Sequence, residues 1–513
     1  MGLVHAPRNM RFRRGPSKFM NTEPLFIFEM ANNHQGDVQH GQRIIEEMAK
    51  LARRFGIRAG VKLQYRNLST FIHPDFRASD HKHIRRFLAT ELPKAQYASL
   101  VEAIKDAGLV TICTPFDEES VDDIVNHGIE IVKVASCSAN DWPLLEKIVE
   151  SRKPVICSTG GLRLDQIDQV VNFFTHRHLK DFSLLHCVGI YPTRNSGIQL
   201  DFMDILKRRY YWLPVGYSGH EAPDNYDVVK VAVAKGAKIL ERHVGVPTEK
   251  TALNAYSMNP EQAAKWVESA LTASEICGAP DGSKLISQEE ADSLLSLRRG
   301  TFVRKDVAAG DTLTREKVYF AMPCAEGATS ASEYQDSMTA SVAYSANCPV
   351  VERRERNLGN QLRSLIHQAK GMLHEAHIII GDKFTIEMSH HYGPEQFRSN
   401  GALIVNLVNR EYCKKLIIML PGQRHPNHRH MKKEETFQLL SGDLEVSLDG
   451  VMHRLDKGEL LLVERGIWHS FSTASGCIFE EVSTTHIVGD SYYEDVKIAA
   501  LDPTQRKTLL DMW

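Results

Sequence analysis

Two lysines, Lys62 and Lys133, stand between apolar neighbours in short β-branched runs, Val-Lys-Leu-Gln and Val-Lys-Val-Ala-Ser. An ammonium group buried in such a run without an anion is costly, so each must meet one. Side chains able to hydrogen-bond close the same or similar runs: Gln64, Thr114, Ser136, Ser158 (followed by Thr-Gly-Gly) and Ser218. Two cations beside hydroxyls and the free N–H groups of a Gly-rich turn suit a ligand carrying both phosphate and carboxylate. Pairing of the lysines with protein carboxylates such as Glu29 is the alternative. His220 (Gly-Tyr-Ser-Gly-His) and His243 (Leu-Glu-Arg-His-Val) end two further runs. Two imidazoles at neighbouring strand ends suit a labile divalent cation whose remaining positions take water and substrate, and hydrogen-bonded structural histidines are the alternative. Glu29 and His186 are further candidates for acid, base or water-orienting groups. Far along the chain stand His428, His430, Glu435 and His469. His428 and His430 share one face of a strand, Glu435 returns on the next, and His469 comes later, giving three imidazoles and a carboxylate for one cation. Arg424, His425, Lys432 and Lys433 make the approach basic and read as a solvated rim.

The elements that must position these groups follow from periodicity. Eight strand candidates, at 25–30, 60–64, 110–114, 131–135, 155–158, 183–187, 215–218 and 239–243, alternate with helical segments at 41–55, 94–107, 142–150, 164–174, 225–235 and 260–276. Gly56, Gly108 and Gly236 are placed as helix stops. Eight such units in about 250 residues fit an α/β fold of the (β/α)8 TIM-barrel type, with its site at the carboxyl ends of the strands. A doubly wound sheet is the runner-up, but its Gly-x-Gly-x-x-Gly turn is absent after the first strand. A strand, turn, strand pattern follows at 296–323, then a charged helical stretch at 352–375, then period-two alternation with hairpin signals at 441–443 and 449–450. The expected organisation is a barrel domain over 22–282, a small β domain over 285–350, a helical linker over 351–381 and an all-β domain over 382–513.

Composition sets the outer bounds. The 513 residues carry Lys+Arg 62 against Asp+Glu 64, a formal net charge of -2, so no global basic field draws in nucleic acid or an anionic membrane. No apolar run reaches the roughly 18 residues that span a bilayer. The basic start (Arg8, Arg11, Arg13, Arg14, Lys18) lacks an apolar stretch behind it and does not read as a signal peptide. The nine cysteines include no Cys-x-x-Cys pair, and Cys113, Cys137, Cys157 and Cys187 sit in apolar runs, as expected of small core residues in a reducing cytoplasm.

The motifs of the first half, in order, resemble the sialic acid synthase family, which includes the N-acetylneuraminate, legionaminate and pseudaminate synthases. They are Ile-Phe-Glu-Met-Ala-Asn-Asn-His-Gln-Gly-Asp (27–37), Val-Lys-Leu-Gln, Cys-Thr-Pro-Phe-Asp, Lys-Val-Ala-Ser, Leu-Leu-His-Cys followed by Ile-Tyr-Pro-Thr (184–193), Gly-Tyr-Ser-Gly-His, Glu-Arg-His and Ser-Met-Asn-Pro (257–260). The run from Leu297 to Asp311 is similar to that family's antifreeze-like (SAF) domain. The resemblance implies condensation of phosphoenolpyruvate with the open-chain aldehyde of an amino sugar, with release of phosphate. It further implies a divalent metal, Mn2+ or Mg2+, on His220 and His243, and a homodimer in which the SAF domain caps the partner's barrel. Lys62, Gln64, Thr114, Lys133, Ser136, Ser158 and Ser218 would hold phosphoenolpyruvate, with Glu29, Lys62, Lys133 and His186 as catalytic candidates. Departures fall on the acceptor side: Ser138 replaces an acidic residue, Gly189 an Asn or Ser, residues 321–324 an Arg-Pro-Gly stretch, and 245–249 an Asp- and Gly-rich loop. The acceptor sugar therefore stays open, as do two other readings: a sugar-binding protein with an inactive barrel, and a pyruvate-dependent metal aldolase. The spacing from Gly422 through His428, His430, Glu435 and Gly442, then Gly458, Gly466 and His469, resembles both cupin motifs, with Glu464 and Thr473 where Pro and Asn are usual. The resemblance implies a second divalent metal, and a domain that is either an added isomerase or epimerase or a binding module, the latter favoured.

Overall fold

The computed structural model describes residues 23–510 apart from 180, 250–251, 280–281, 337 and 353–357. The basic segment containing Arg8 to Lys18 lies outside these. The chain forms two compact units that divide at Leu285 and Ile286. No helix among the described residues is long and apolar enough to cross a membrane.

In the first unit, β1 (Leu25–Glu29), β2 (Ala59–Tyr65), β3 (Val110–Pro115), β4 (Ile131–Val134), β5 (Val155–Ser158), β6 (Phe182–Cys187), β7 (Val215–Gly219) and β8 (Ile239–His243) close into a parallel barrel in sequence order. Alternation decides what each strand shows the axis. Ile27, Ile112, Ile131, Ile156, Leu185 and Ile239 form a buried plug. Two residues further along the same strands, the same face presents Glu29, Thr114, Lys133, Ser158, Cys187 and Glu241. Glycine fits the plug where β7 and β8 run close: a Cβ on Gly216 would lie 2.3 Å from the Ile239 carbonyl oxygen. The opposite strand faces (Phe26, Phe28, Leu184, Tyr217, Leu240) pack under the helices in the main core. The expected strands are all present, within one residue at each end. Helices Lys82–Ala89, Glu118–Asn126 and Phe202–Arg209 are additional. They are only eight or nine residues long and bury few apolar side chains: none in the first, Val121 and Ile124 in the second, Met203 and Leu206 in the third.

In the second unit, β9 (Gly300–Val303) and β10 (Val318–Ala321) pair antiparallel over a small core that includes Val303, Leu313, Val318, Met338 and Val350. Twelve strands complete the fold: β11 (Thr385–Ser389), β12 (Ala402–Asn409), β13 (Tyr412–Met419), β14 (Arg424–His430), β15 (Glu435–Gly442), β16 (Leu444–Leu448), β17 (Val451–Leu455), β18 (Leu460–Val463), β19 (His469–Ser472), β20 (Cys477–Thr484), β21 (Ser491–Tyr493) and β22 (Lys507–Leu510). They build two facing sheets, β18-β15-β20-β13-β12-β11-β22 and β17-β16-β19-β14-β21.

Two expectations are corrected here. The stretch 351–381 is more than a linker, because its helix Leu358–Glu375 buries Ile366, Ala369 and Leu373 against Ile386, Leu403, Val405 and Ile418 on the back of the larger sheet. The signal at 441–443 is no hairpin: β15 pairs with β18 and β20, β16 with β17 and β19, and the chain passes from one sheet to the other at Gly442. The signal at 449–450 is a hairpin, joining Leu448 to Val451 with positive φ at both Asp449 and Gly450.

Candidate functional site

At the carboxyl end of the barrel the polar layer is tied together by charge. Lys62 Nζ lies 2.5 Å from Glu29 Oε2 and 3.1 Å from Glu241 Oε2. Lys133 Nζ donates to Ser158 Oγ at 2.7 Å and lies 3.7 Å from Glu241 Oε1, which also accepts from Ser218 Oγ at 2.7 Å. Gln64 donates to Glu29 Oε1 at 3.0 Å, and the Gly160 N–H donates to Ser136 Oγ at 3.1 Å. The Thr114 hydroxyl is buried in the same layer without a hydrogen-bond partner among the described residues. Burial pulls the Lys62 ammonium down to about 8 against the opposing pull of Glu241. Burial alone would raise Glu241, but the Lys133 and Lys62 charges outweigh it and hold the carboxyl well below the usual range. The two readings of the lysines thus coexist. They are paired with Glu29 and Glu241, and they face the axis where a substrate would sit.

His220 and His243 meet beside this layer with ring centroids 5.4 Å apart. Tyr191 lies 4.1 Å from the His220 ring and Tyr256 lies 5.0 Å from the His243 ring, so two aromatic faces wall the pair. Burial holds His220 down to about 4 and pushes His243 well below the ordinary imidazole value, so both rings are neutral near pH 7. With its proton on Nδ1, His220 donates to the Val188 carbonyl at 2.9 Å and keeps the Nε2 lone pair for a ligand. Neutral imidazoles with a supporting carbonyl are the donor chemistry that a divalent cation requires, and this pair fits one.

His186 is corrected. It is one residue out of step with Leu185 and Cys187, so it points away from the axis. There its Nε2 pairs with the Ile198 carbonyl at 2.7 Å, and its ring packs between Phe202 and Tyr217. It belongs to the strand–helix layer. The central residue that sequence reasoning missed is Glu241, buried between both lysines; its position two before His243 and two after Ile239 was the available signal. Next to it, Arg242 is locked to Glu221 at 2.6 Å on the other side of the strand.

In the second unit the donor nitrogens of His428, His430 and His469 lie within 4.8 Å of one another, all buried. With Nδ1 protonated, His428 donates to the Pro426 carbonyl at 3.0 Å, His430 to that of Asp490 at 2.7 Å and His469 to that of Ile467 at 3.1 Å. That leaves three Nε2 lone pairs converging. Glu435 Oε2 is 3.1 Å from His469 Nε2 and its Oε1 is 3.4 Å from His430 Nε2. The three histidines expected from the spacing are therefore one cluster, with Glu435 against two of them, and their donors and supporting carbonyls suit a divalent cation. The basic approach is half corrected. Arg424 and Lys432 are exposed, but His425 is buried and stacked on Phe471 at 4.3 Å, and Lys433 is buried. Lys433 contacts Glu435 Oε1 and lies 2.8 Å from Glu481 Oε1. Glu481 is a second carboxylate that sequence reasoning missed.

Family comparison agrees with this division. The NeuB family model matches residues 48–281 and the cupin domain model matches residues 415–479. A Chromobacterium violaceum protein of known structure, described as a spore coat polysaccharide biosynthesis protein E, is 46% identical and superposes with a TM-score of 0.62, covering 64% of this chain and 98% of that one. The N,N'-diacetyllegionaminic acid synthase of Legionella pneumophila is 27% identical over 58% of this chain and 85% of its own length. The N-acetylneuraminate-9-phosphate synthase of Drosophila melanogaster is 27% identical over 50% of this chain and 68% of its own. Residues 48–281 of the first unit thus match the NeuB family, and the second unit carries a cupin domain.

Proposed function

We propose that the barrel condenses phosphoenolpyruvate with an open-chain 2-acylamino aldose, forming a sialic-acid-like nonulosonate and phosphate. The observation that carries the reading is the layer of Lys62, Lys133 and Glu241 beside the neutral pair His220 and His243. Lys62 and Lys133 would take the negative charges of phosphoenolpyruvate, with Thr114, Ser136, Ser158 and the Gly160 region donating hydrogen bonds to its oxygens. Their charge also favours departure of phosphate. Glu29, already oriented by Gln64 and Lys62, would position the acceptor or a water molecule. A Mn2+ or Mg2+ ion on His220 and His243 would polarise the aldehyde oxygen of the acceptor. Tyr191 and Tyr256 would wall that end of the site and bear on acceptor choice. The small domain around β9 and β10 is read as the SAF module, capping a partner's barrel in a homodimer; its support is the run 297–311.

The test is phosphate release from phosphoenolpyruvate and Mn2+ with a panel of 2-acylamino aldoses. Release with at least one acceptor, lost in Lys133→Met and His243→Ala, is expected. Absence of release with every acceptor removes the proposal.

A further inference from the structure

Glu481 and Lys433 are surplus to the cupin's metal cage. A cation on His428, His430, His469 and Glu435 requires neither, yet both are buried in the same lumen. Lys415, 3.7 Å from Glu481 Oε1 on β13, and the Ser483 hydroxyl, 3.0 Å from the same oxygen, fix the carboxylate from other sides. Taking such charges out of water is costly, and pairing repays this only in part. The same strand faces fill the lumen with apolar groups further along: Phe437 on β15, Ile417 and Met419 on β13, Phe479 on β20. The strands therefore have an uncharged way to pack this interior and use it at one end. The charged end is the one with the imidazoles.

A divalent cation held by His428, His430, His469 and Glu435 would also accept outside oxygens, and the adjacent carbonyl and hydroxyl of an open-chain sugar form a chelating pair. One ammonium away stands Glu481. Burial would raise its pKa, but Lys415 and Lys433 outweigh that and keep it ionised, as a base must be. We infer that the cupin lumen is a second active site, in which Glu481 moves a proton between C2 and C1 of an open-chain 2-hydroxy aldose and so interconverts aldose and ketose.

The step balances within the substrate. The C2–H bond breaks, its electron pair enters a C1–C2 double bond, and Glu481 holds the proton. A C1–H bond then forms from Glu481 while the hydroxyl proton passes from O2 to O1, so no atom is gained or lost and no oxidant is consumed. Lys433 donates a hydrogen bond to the oxygen that carries charge in the enediolate. This activity is independent of the barrel reaction.

The test uses the full-length protein with Mn2+ and a panel of aldopentoses and aldohexoses in D2O, without phosphoenolpyruvate. Expected are ketose formation with solvent deuterium at C1, and a change in the Mn2+ EPR spectrum when the sugar is added. Glu481→Gln should lower the rate by about 10²-fold or more while retaining both bound Mn2+ and the sugar-induced EPR change. Should Glu481→Gln fail to fold, Glu481→Asp, which withdraws the carboxylate by one methylene, should slow ketose formation with the EPR response intact. The inference is overturned if no aldose gives ketose, if the ketose carries no deuterium, if the spectrum ignores the sugar, or if Glu481→Gln (or the substituted Glu481→Asp) keeps the full rate.

Discussion

Glu241 carries the electrostatics of the barrel mouth, because two buried ammonium groups lean on its carboxylate and Glu29 serves only one of them. Glu241→Gln keeps the shape and removes the charge, leaving Lys62 half compensated and Lys133 with no carboxylate in ion-pair range among the described residues. Removing one partner of a buried ionic group costs about 3–5 kcal/mol; urea unfolding should show a loss of that order, with phosphoenolpyruvate turnover lost as well. His34, at the start of the first loop, gives a pH signature instead. Its ring is buried, Nδ1 accepts from the Gly36 N–H at 3.1 Å, and burial with the nearby His40 and Arg86 charges pushes it down to about 4. The unfolded chain binds this proton near pH 6.5 and the folded one near 4, so stability falls as pH drops through that window and levels off below it. The total is of order 3 kcal/mol at about 1.36 kcal/mol per unit. His34→Asn, which keeps an acceptor for the Gly36 amide, should flatten the acid limb of the stability curve in urea titrations between pH 7 and 4.

At the scale of elements, two glycines with the same turn signature do different work. Gly450 sits at the tip of the β16–β17 hairpin with φ 84, and a methyl group added there would meet nothing within 4 Å. Gly450→Ala should therefore cost only the backbone penalty, about 1–2 kcal/mol. Gly442, with φ 82, turns the chain between sheets, where a Cβ would stand 1.9 Å from the Gly476 carbonyl oxygen. That backbone cannot yield without opening the β15–β20 ladder, so Gly442→Ala should lose about 4 kcal/mol or more, measured as the cupin's melting transition. Local composition could not separate the two, since each reads as Gly beside Asp after an alternating run; pairing partners far along the chain made the difference. The helix Leu358–Glu375 follows the same rule. Its period was legible, but its inner face became core only because β11, β12 and β13 present Ile386, Leu403, Val405 and Ile418 to it.

For the whole molecule, two compact units imply separate unfolding events, and a metal that binds one of them moves that event alone. Mn2+ at about 100 times its dissociation constant for the cupin cage should stabilise that fold by about 2.7 kcal/mol. Differential scanning calorimetry should show the shift reversed by EDTA and absent in His469→Ala. The sequence by itself determined the alternation of strands and helices, the closure-length barrel, the lysines and histidines at strand ends and the spacing of His428, His430, Glu435 and His469, because these depend on period-two and period-3.6 patterns and on residue types a few positions apart. Only the tertiary structure decided that Lys62 and Lys133 both lean on Glu241, and that Lys433 reaches inward to Glu481 instead of into solvent. A side chain's face follows from strand phase, but its partner is set by how the strands assemble, which brings together residues as distant as Lys62 and Glu241 or Lys433 and Glu481.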